Sequence, residues 1–400
     1  SVRGALFGVQ QGEARLVPDP PVSLPPISAR KRWGFVDEQL VADGAGVKLT
    51  DGKGGNARFM VKVKVSPFRH YHASIRVKTQ DFEGTPEIKA LVPGSDRSLC
   101  HTSLKVQRIQ DWAVHHVTFN TLEAAEINLY FGVWGAGSGT LWLSDPMLEE
   151  AGPVNLLRRP GCPLEVKTLD GKGLVEGTDF EKLSDPRLGN QPFAGEYEVW
   201  HDAPLLRTRL PEGTRLRVSW YHPHVIHEGQ VCAAVNEPAF MKLLEAQAEQ
   251  VHRAWGARSY MMSHDEWRVL GWDAAAISRR LAPGQVAAGH VQRCTGFLES
   301  VNPGGRVMVW SDMFDPFHNA KPHYYLAKGD LSGSWEGLDK STIMVNWNSQ
   351  AAEKSLAFFA DRGHQQLIAA YYDMPLERSR VWLEKTKPIR GVMGVMYTTW

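Results

Sequence analysis

The stretch Ser259-Tyr260-Met261-Met262-Ser263-His264-Asp265-Glu266 decides how the second half of this chain reads. A short apolar run, Tyr260 to Met262, stops at a histidine and two acids. Two adjacent carboxylates cannot sit in the middle of a buried strand, because unpaired buried charge is costly. At the C-terminal end of such a strand the same acids can face a cleft, where barrel enzymes keep their chemistry. Working outward from it, an amphipathic pattern precedes the run. Phe240, Leu243, Leu244, Ala248, Val251 and Trp255 recur at helical spacing.

The same rhythm continues to the end of the chain. Leu216 to Trp220, Arg306 to Trp310, Ser341 to Trp347, Gln366 to Tyr371 and Val392 to Tyr397 read as strands. Val286 to Val301, Ala351 to Arg362 and Leu376 to Lys385 read as helices. Alternation of this kind predicts a parallel sheet, closed as a (β/α)8 TIM barrel or open and doubly wound. About six βα units are recognisable, against roughly eight in a closed barrel, so the barrel reads as incomplete. No glycine-rich loop follows a strand, which argues against a dinucleotide fold and any such cofactor.

The first part of the chain has a different period. Phe59 to Val65, Tyr71 to Val77, Trp112 to Phe119, Ile127 to Gly132 and Thr140 to Leu143 are separated by turn-forming clusters, and the first two alternate with period two. This pattern predicts an antiparallel β-sandwich over 33–150. It follows a hairpin and proline-rich linker at 1–32. A β-rich connection fills 151–214, and the barrel fills 215–400. Val65-Ser66-Pro67 leading into Tyr71–Val77, Asp111-Trp112, and Leu141-Trp142-Leu143-Ser144-Asp145-Pro146 resemble the carbohydrate-binding jelly rolls appended to glycosidases. His70, His72, His115 and His116 are expected as exposed side chains. Tyr71, Trp134 and Trp142 are candidates to stack on sugar, with core packing the competing use.

Composition narrows the function. The 400 residues carry a formal net charge of +1, so nothing in the balance points to nucleic acid or an anionic membrane as the main partner. No apolar run reaches the roughly 18 residues a membrane helix needs. The opening Ser1-Val2-Arg3-Gly4-Ala5 lacks the apolar core of a signal peptide, so a soluble chain is expected. Four scattered cysteines form no finger spacing, and no metal is expected.

The strand ends carry the candidate site. They terminate in Tyr221-His222, His264-Asp265-Glu266, Trp310-Ser311-Asp312, Trp347-Asn348, Tyr371-Tyr372-Asp373 and Tyr397 to Trp400. Acids beside aromatic side chains at successive strand ends predict a sugar pocket. Asn236-Glu237-Pro238 looks like a glycosidase signature, but it reads better as the start of the Phe240–Trp255 helix.

The ordered run from Val235-Asn236-Glu237-Pro238 to His264-Asp265-Glu266, with Val309-Trp310-Ser311-Asp312, Val345-Asn346-Trp347, Gly363-His364, Tyr371-Tyr372-Asp373 and Met393-Gly394, resembles family-20 β-N-acetylhexosaminidases. Ser263-His264 stands where that family has two glycines before Asp-Glu. The resemblance implies an exo-acting retaining hydrolase of terminal N-acetylhexosamine, with an oligosaccharide or glycoconjugate as substrate. It implies Glu266 as general acid and Asp265 as the group that orients the 2-acetamido oxygen in a substrate-assisted reaction. His222, His264, Trp310, Asp312, Trp347, Tyr372, Asp373 and Trp400 would line the sugar. The alternatives are a glycosidase for a sugar without an acetamido group, an inactive glycan-binding protein, and a metal hydrolase built on His222, His224, His227, His264 and Asp265.

Overall fold

The computed structural model describes residues 1–95, 97–188, 197–226, 230–372 and 375–398. The chain divides into two compact units, Ser1–Cys232 and Ala233–Trp400.

The first unit opens with the strands Val2–Gln10 and Glu13–Leu16. Gln10 pairs with Glu13, leaving Gln11 and Gly12 as a two-residue turn with φ of 52° and 77°. Positive φ at both central positions is what a tight hairpin needs. Val2, Ala5, Phe7 and Val9 are buried along one side of the first strand.

Arg215–Trp220 pairs antiparallel with Val2–Gln10 and with Glu165–Thr168, completing a five-stranded sheet with Leu206–Arg207 at its far edge. This corrects the assignment of that segment to a barrel. Leu216, Val218 and Trp220 are buried while Arg215 and Arg217 are exposed. That alternation suits a sheet with one wet face, whereas parallel strands covered on both faces are apolar throughout.

The β-sandwich expected from the alternation is present. One antiparallel sheet runs Gln110–Asn120, His70–Gln80, Thr140–Glu150, Gly46–Thr50, Val41–Asp43. The other runs Phe35–Val36, Ala57–Lys64, Glu126–Val133, Pro86–Leu91, Ser98–Ser103. Phe59 and Phe131 stack at 5.4 Å in the core, and Trp33 meets Phe59 edge-on at 4.7 Å. Tyr71 is fully buried and stacks on Phe119, so it is a core residue and not a sugar platform. His70 and His72 are also buried, contrary to expectation. His72 lies under Trp200, ring centroids 3.6 Å apart, and bonds Glu149 and His116 at 2.8 Å each. The segment carrying Trp200 covers this part of the sheet, a long-range contact that period-two patterning does not reveal.

Arg69 joins the sandwich to the opening strand. It donates to the carbonyls of Arg3 and Gly4 and pairs with the buried Glu150 at 3.1 Å. Burial raises the Glu150 pKa above the ordinary carboxylate range.

The second unit contains a sheet of five parallel strands, in the order Ser259–Met262, Arg306–Trp310, Ile343–Asn346, Gln366–Tyr371, Val392–Thr398. Neighbours in the sheet are neighbours in the chain. Helices Pro238–Trp255, Ala274–Arg279, Pro283–Val301, Ala352–Asp361 and Leu376–Thr386 accompany them. All four residues of the central Ile343–Asn346 strand are buried. The two outer strands are only partly buried, and each has a partner on one side alone among the described residues.

The eight-stranded barrel is therefore overturned. Among the described residues the main parallel sheet has five strands and two edges, a separate parallel pair joins Val269–Leu270 to Leu326–Ala327, and there are five α-helices. Closure needs a full ring of strands at matching tilt and stagger. The segment expected to supply another, Arg215–Trp220, is held by the opening hairpin. Also among the described residues, no helix is long and apolar enough to cross a membrane, and no disulfide joins the cysteines.

Candidate functional site

Three neighbouring strands of the parallel sheet deliver their C-terminal residues to one place. The first leads into His264-Asp265-Glu266, the second into Asp312, the third into Trp347. Asp312 opens a short 3-10 turn, Asp312–Phe314, and is fully buried. Its Oδ2 accepts from the Glu266 backbone N–H and from Asn319 Nδ2, both at 2.9 Å. Its Oδ1 accepts from Trp347 Nε1 at 3.3 Å. One carboxyl group thus ties together the ends of three strands.

Burial drives the Asp312 pKa up to about 7, and the nearby Asp265 charge pushes the same way. The three hydrogen bonds pull down but do not win. An acid poised there can hold or release a proton near neutrality. Tyr324 is buried nearby with no hydrogen-bond partner for its hydroxyl. Its pKa is raised by burial first, then by the charges of Asp312 and Glu266.

The backbone around the acid pair is unusual. His264 and Glu266 adopt φ of 57° and 46°, a left-handed conformation at two non-glycine residues. Such residues cost on the order of 1–3 kcal/mol each and persist where the surroundings hold them. Here the Glu266 N–H bond to Asp312 is part of that hold. Glu266 itself pairs with Arg268 at 2.6 Å. That contact occupies one of the oxygens a proton donor would offer to a leaving group.

The other candidates divide. His264 is buried and turned toward helix Pro283–Val301, with Nε2 3.0 Å from His290 Nδ1. Trp310 is half-buried at its strand end. Tyr372 is 62% exposed beside Thr398. His222 belongs to the first unit, where it is buried, stacks on His70 at 4.0 Å and bonds Asn120 Nδ2 at 2.9 Å. Burial and His70 hold its pKa well below the usual histidine range. Asp373 and Trp400 lie outside the described residues, as does His227. Asn236-Glu237-Pro238 does begin the helix, with Glu237 at the cap position and Pro238 first inside, but the Glu237 side chain caps nothing.

Sequence reading missed Asn319, Tyr324, Arg268, His290 and Cys294. The pair His290 and Cys294, one helical turn apart, is the only one of these with a local signal.

The sandwich carries a second candidate surface. Trp142 stands on the outward side of the Thr140–Glu150 strand, opposite Lys78 and Lys48 on its two neighbours. Its Nε1 donates to Asp43 Oδ2 at 2.8 Å, and Lys48 Nζ and Lys78 Nζ lie 5.1 and 5.7 Å from its ring. Trp112, on Gln110–Asn120 beyond the intervening His70–Gln80 strand, is 37% exposed, with the Arg76 guanidinium 5.3 Å from its ring. Trp134 lies with the other sheet, beside Lys89 at 3.8 Å and Arg58 at 5.6 Å.

No family model and no curated protein matches the chain. Solved structures do. A structure named for CBM4 is 14% identical over 28% of this chain and 76% of its own, with a TM-score of 0.23. The CBM22-1 xylan-binding domain of Paenibacillus barcinonensis Xyn10C is 12% identical, covering 29% and 79%, TM-score 0.23. The N-terminal cellulose-binding domain of Cellulomonas fimi β-1,4-glucanase C is 13% identical, covering 29% and 86%, TM-score 0.24.

Proposed function

We propose that this protein binds carbohydrate on the outward sandwich face that holds Trp142 and Trp112. The observation that carries this reading is Trp142, a half-exposed indole pinned by Asp43 between two lysine-bearing strands. A flat aromatic side chain offers an apolar surface to the C–H face of a sugar ring. Lys48, Lys78, Arg76, Asp43 and Asp111 around the two indoles supply donors and acceptors for its hydroxyls. The test is titration calorimetry of the full chain with xylan and cello-oligosaccharides, chosen because similar structures include xylan- and cellulose-binding domains. Trp142→Ala should weaken binding at least tenfold with the melting temperature nearly unchanged. Equal binding by wild type and the Trp112→Ala/Trp142→Ala double variant would remove the surface from consideration.

A second reading, glycoside hydrolysis, is favoured by Asp312, whose pKa of about 7 stands beside Asp265 and Glu266. In that reading Glu266 protonates the glycosidic oxygen after leaving Arg268. Asp265 orients the 2-acetamido group whose oxygen attacks the anomeric carbon. Aryl N-acetylglucosaminide and aryl glucoside, compared in wild type, Glu266→Gln and Asp265→Asn, test it. Hydrolysis of the first substrate should fall by roughly two to four orders of magnitude in Glu266→Gln. Full activity in that variant would sink this reading.

A further inference from the structure

We propose that His264, His290 and Cys294 form a binding site for a divalent zinc-type cation, with two imidazole nitrogens and one sulfur as ligands. The three donor atoms lie within 4.8 Å of one another, and all three residues are buried. His264 Nε2 is 3.0 Å from His290 Nδ1, and that nitrogen is 3.7 Å from Cys294 Sγ. Zinc–nitrogen bonds of about 2.0–2.1 Å and zinc–sulfur bonds of about 2.3 Å at tetrahedral angles require N–N separations of about 3.3 Å and N–S separations of about 3.6 Å. The 3.0 and 3.7 Å separations fall within about 0.3 Å of these values, and the remaining His264–Cys294 pair, within 4.8 Å, is the one a bound ion would draw in.

The scaffold is rigid where the chemistry needs it. His290 and Cys294 are one turn apart on the buried side of helix Pro283–Val301, so both project from one face. His264 is delivered from the strand end, in the left-handed conformation already described. Spacing along the chain conceals the set, because 26 residues separate the two histidines. Trp267 and Phe314 pack around the His264 ring, at 5.1 and 6.3 Å, and Phe240 lies 6.4 Å from the His290 ring. An aromatic wall of this kind limits water and strengthens ligation. Ligation takes both imidazoles in the neutral form and Cys294 as the thiolate, so metal uptake releases a proton.

The donor set points to zinc. One thiolate with two imidazoles suits a borderline-soft ion and leaves a fourth position open. The Cys294 thiol proton leaves to solvent as the sulfur–metal bond forms. The single proton shared between the two facing imidazole nitrogens moves to a remote ring nitrogen. The site then carries one net positive charge.

The test uses the full chain stripped with chelator and titrated with Zn2+, then with Co2+ as a spectroscopic stand-in. Wild type should take up one equivalent, and the cobalt form should show a thiolate-to-cobalt charge-transfer band. Cys294→Ser should lose that band, and His290→Gln should bind zinc at least about tenfold more weakly. X-ray absorption on zinc-loaded wild type should show sulfur and imidazole scatterers, and this arm needs no variant to fold. Failure of wild type to take up stoichiometric metal, or a zinc shell without sulfur, overturns the proposal. So does unchanged binding in both variants.

Discussion

The sandwich and the parallel sheet hold themselves together in opposite ways. In the sandwich, strands such as Pro86–Leu91 commit alternate side chains inward: Pro86, Ile88 and Ala90 are buried and the residues between them are not, whereas His70–Ile75 is buried throughout, with Trp200 over His72. In the parallel sheet the central strand commits every residue, and polarity is confined to the strand end. The first arrangement tolerates functional side chains all along its wet face. The second has room for them only past the last strand residue, where Asp312 gathers three strand ends. The teaching is that the same residue type, an exposed tryptophan or an acid, must be judged by which arrangement it stands on.

The largest effects should come from the sandwich core. Phe131 is fully buried against Phe59. Phe131→Ala should cost about 3–5 kcal/mol, since loss of apolar transfer energy adds to the cavity left behind. Urea unfolding checks it, and a loss under about 1 kcal/mol would mean the sheets can collapse on the gap. Next comes Arg69→Met, which strands the buried Glu150. Breaking one partner of a buried ion pair typically costs about 3–5 kcal/mol. Glu150→Gln in the same background should recover part of the loss, because the uncompensated charge is then removed.

Much of this was legible from local pattern. The strands around Phe59–Val65 and Tyr71–Val77 announced themselves by alternation, and the hairpin at Gln11-Gly12 by its turn residues. The helix and strand sequence from Phe240 onward was equally plain. Closure was not, because no local feature says whether a strand's far neighbour exists. Leu216–Trp220 looked like a barrel strand from its position in the rhythm, yet its own alternation already favoured an antiparallel partner. In the site, the strand ends were found but the roles were not. Asp312 stood out only as one acid among several until its burial was known. His290 and Cys294 were hidden by their distance from His264 in the chain.

Asp312 should make the stability of the fold depend on pH. Its folded pKa of about 7 lies above the ordinary value of 3.8. The folded state therefore binds more protons than the unfolded state between those values. Stability from this group is fully present below about pH 4 and is lost as pH rises toward 7. The slope can reach about 1.4 kcal/mol per pH unit for a single group. The readout is the stability of wild type minus that of Asp312→Asn, measured by urea unfolding from pH 4 to pH 7. A difference that stays flat would show that Asp312 is already ionised in the folded protein.

The smallest effect separates two helix starts. Asp273 caps helix Ala274–Arg279 by accepting from the Ala276 N–H at 2.9 Å. Removing such a cap typically costs about 1 kcal/mol. Glu237 occupies the same position before Pro238–Trp255 but accepts no hydrogen bond there. Asp273→Ala should therefore destabilise by about 1 kcal/mol, while Glu237→Ala should stay within about 0.5 kcal/mol, as surface substitutions usually do. Glu237→Ser would introduce a short hydroxyl where the long carboxylate reaches nothing, and should stabilise by a few tenths to about 1 kcal/mol. Thermal unfolding of the three variants measures all of this at once. The comparison also judges the Asn-Glu-Pro signature. If Glu237→Ala is thermally silent but removes hydrolysis of an aryl glycoside, Glu237 is chemistry and not helix architecture. If it is silent in both assays, the sequence match has no function behind it, and the acids past the strand ends remain the place to look.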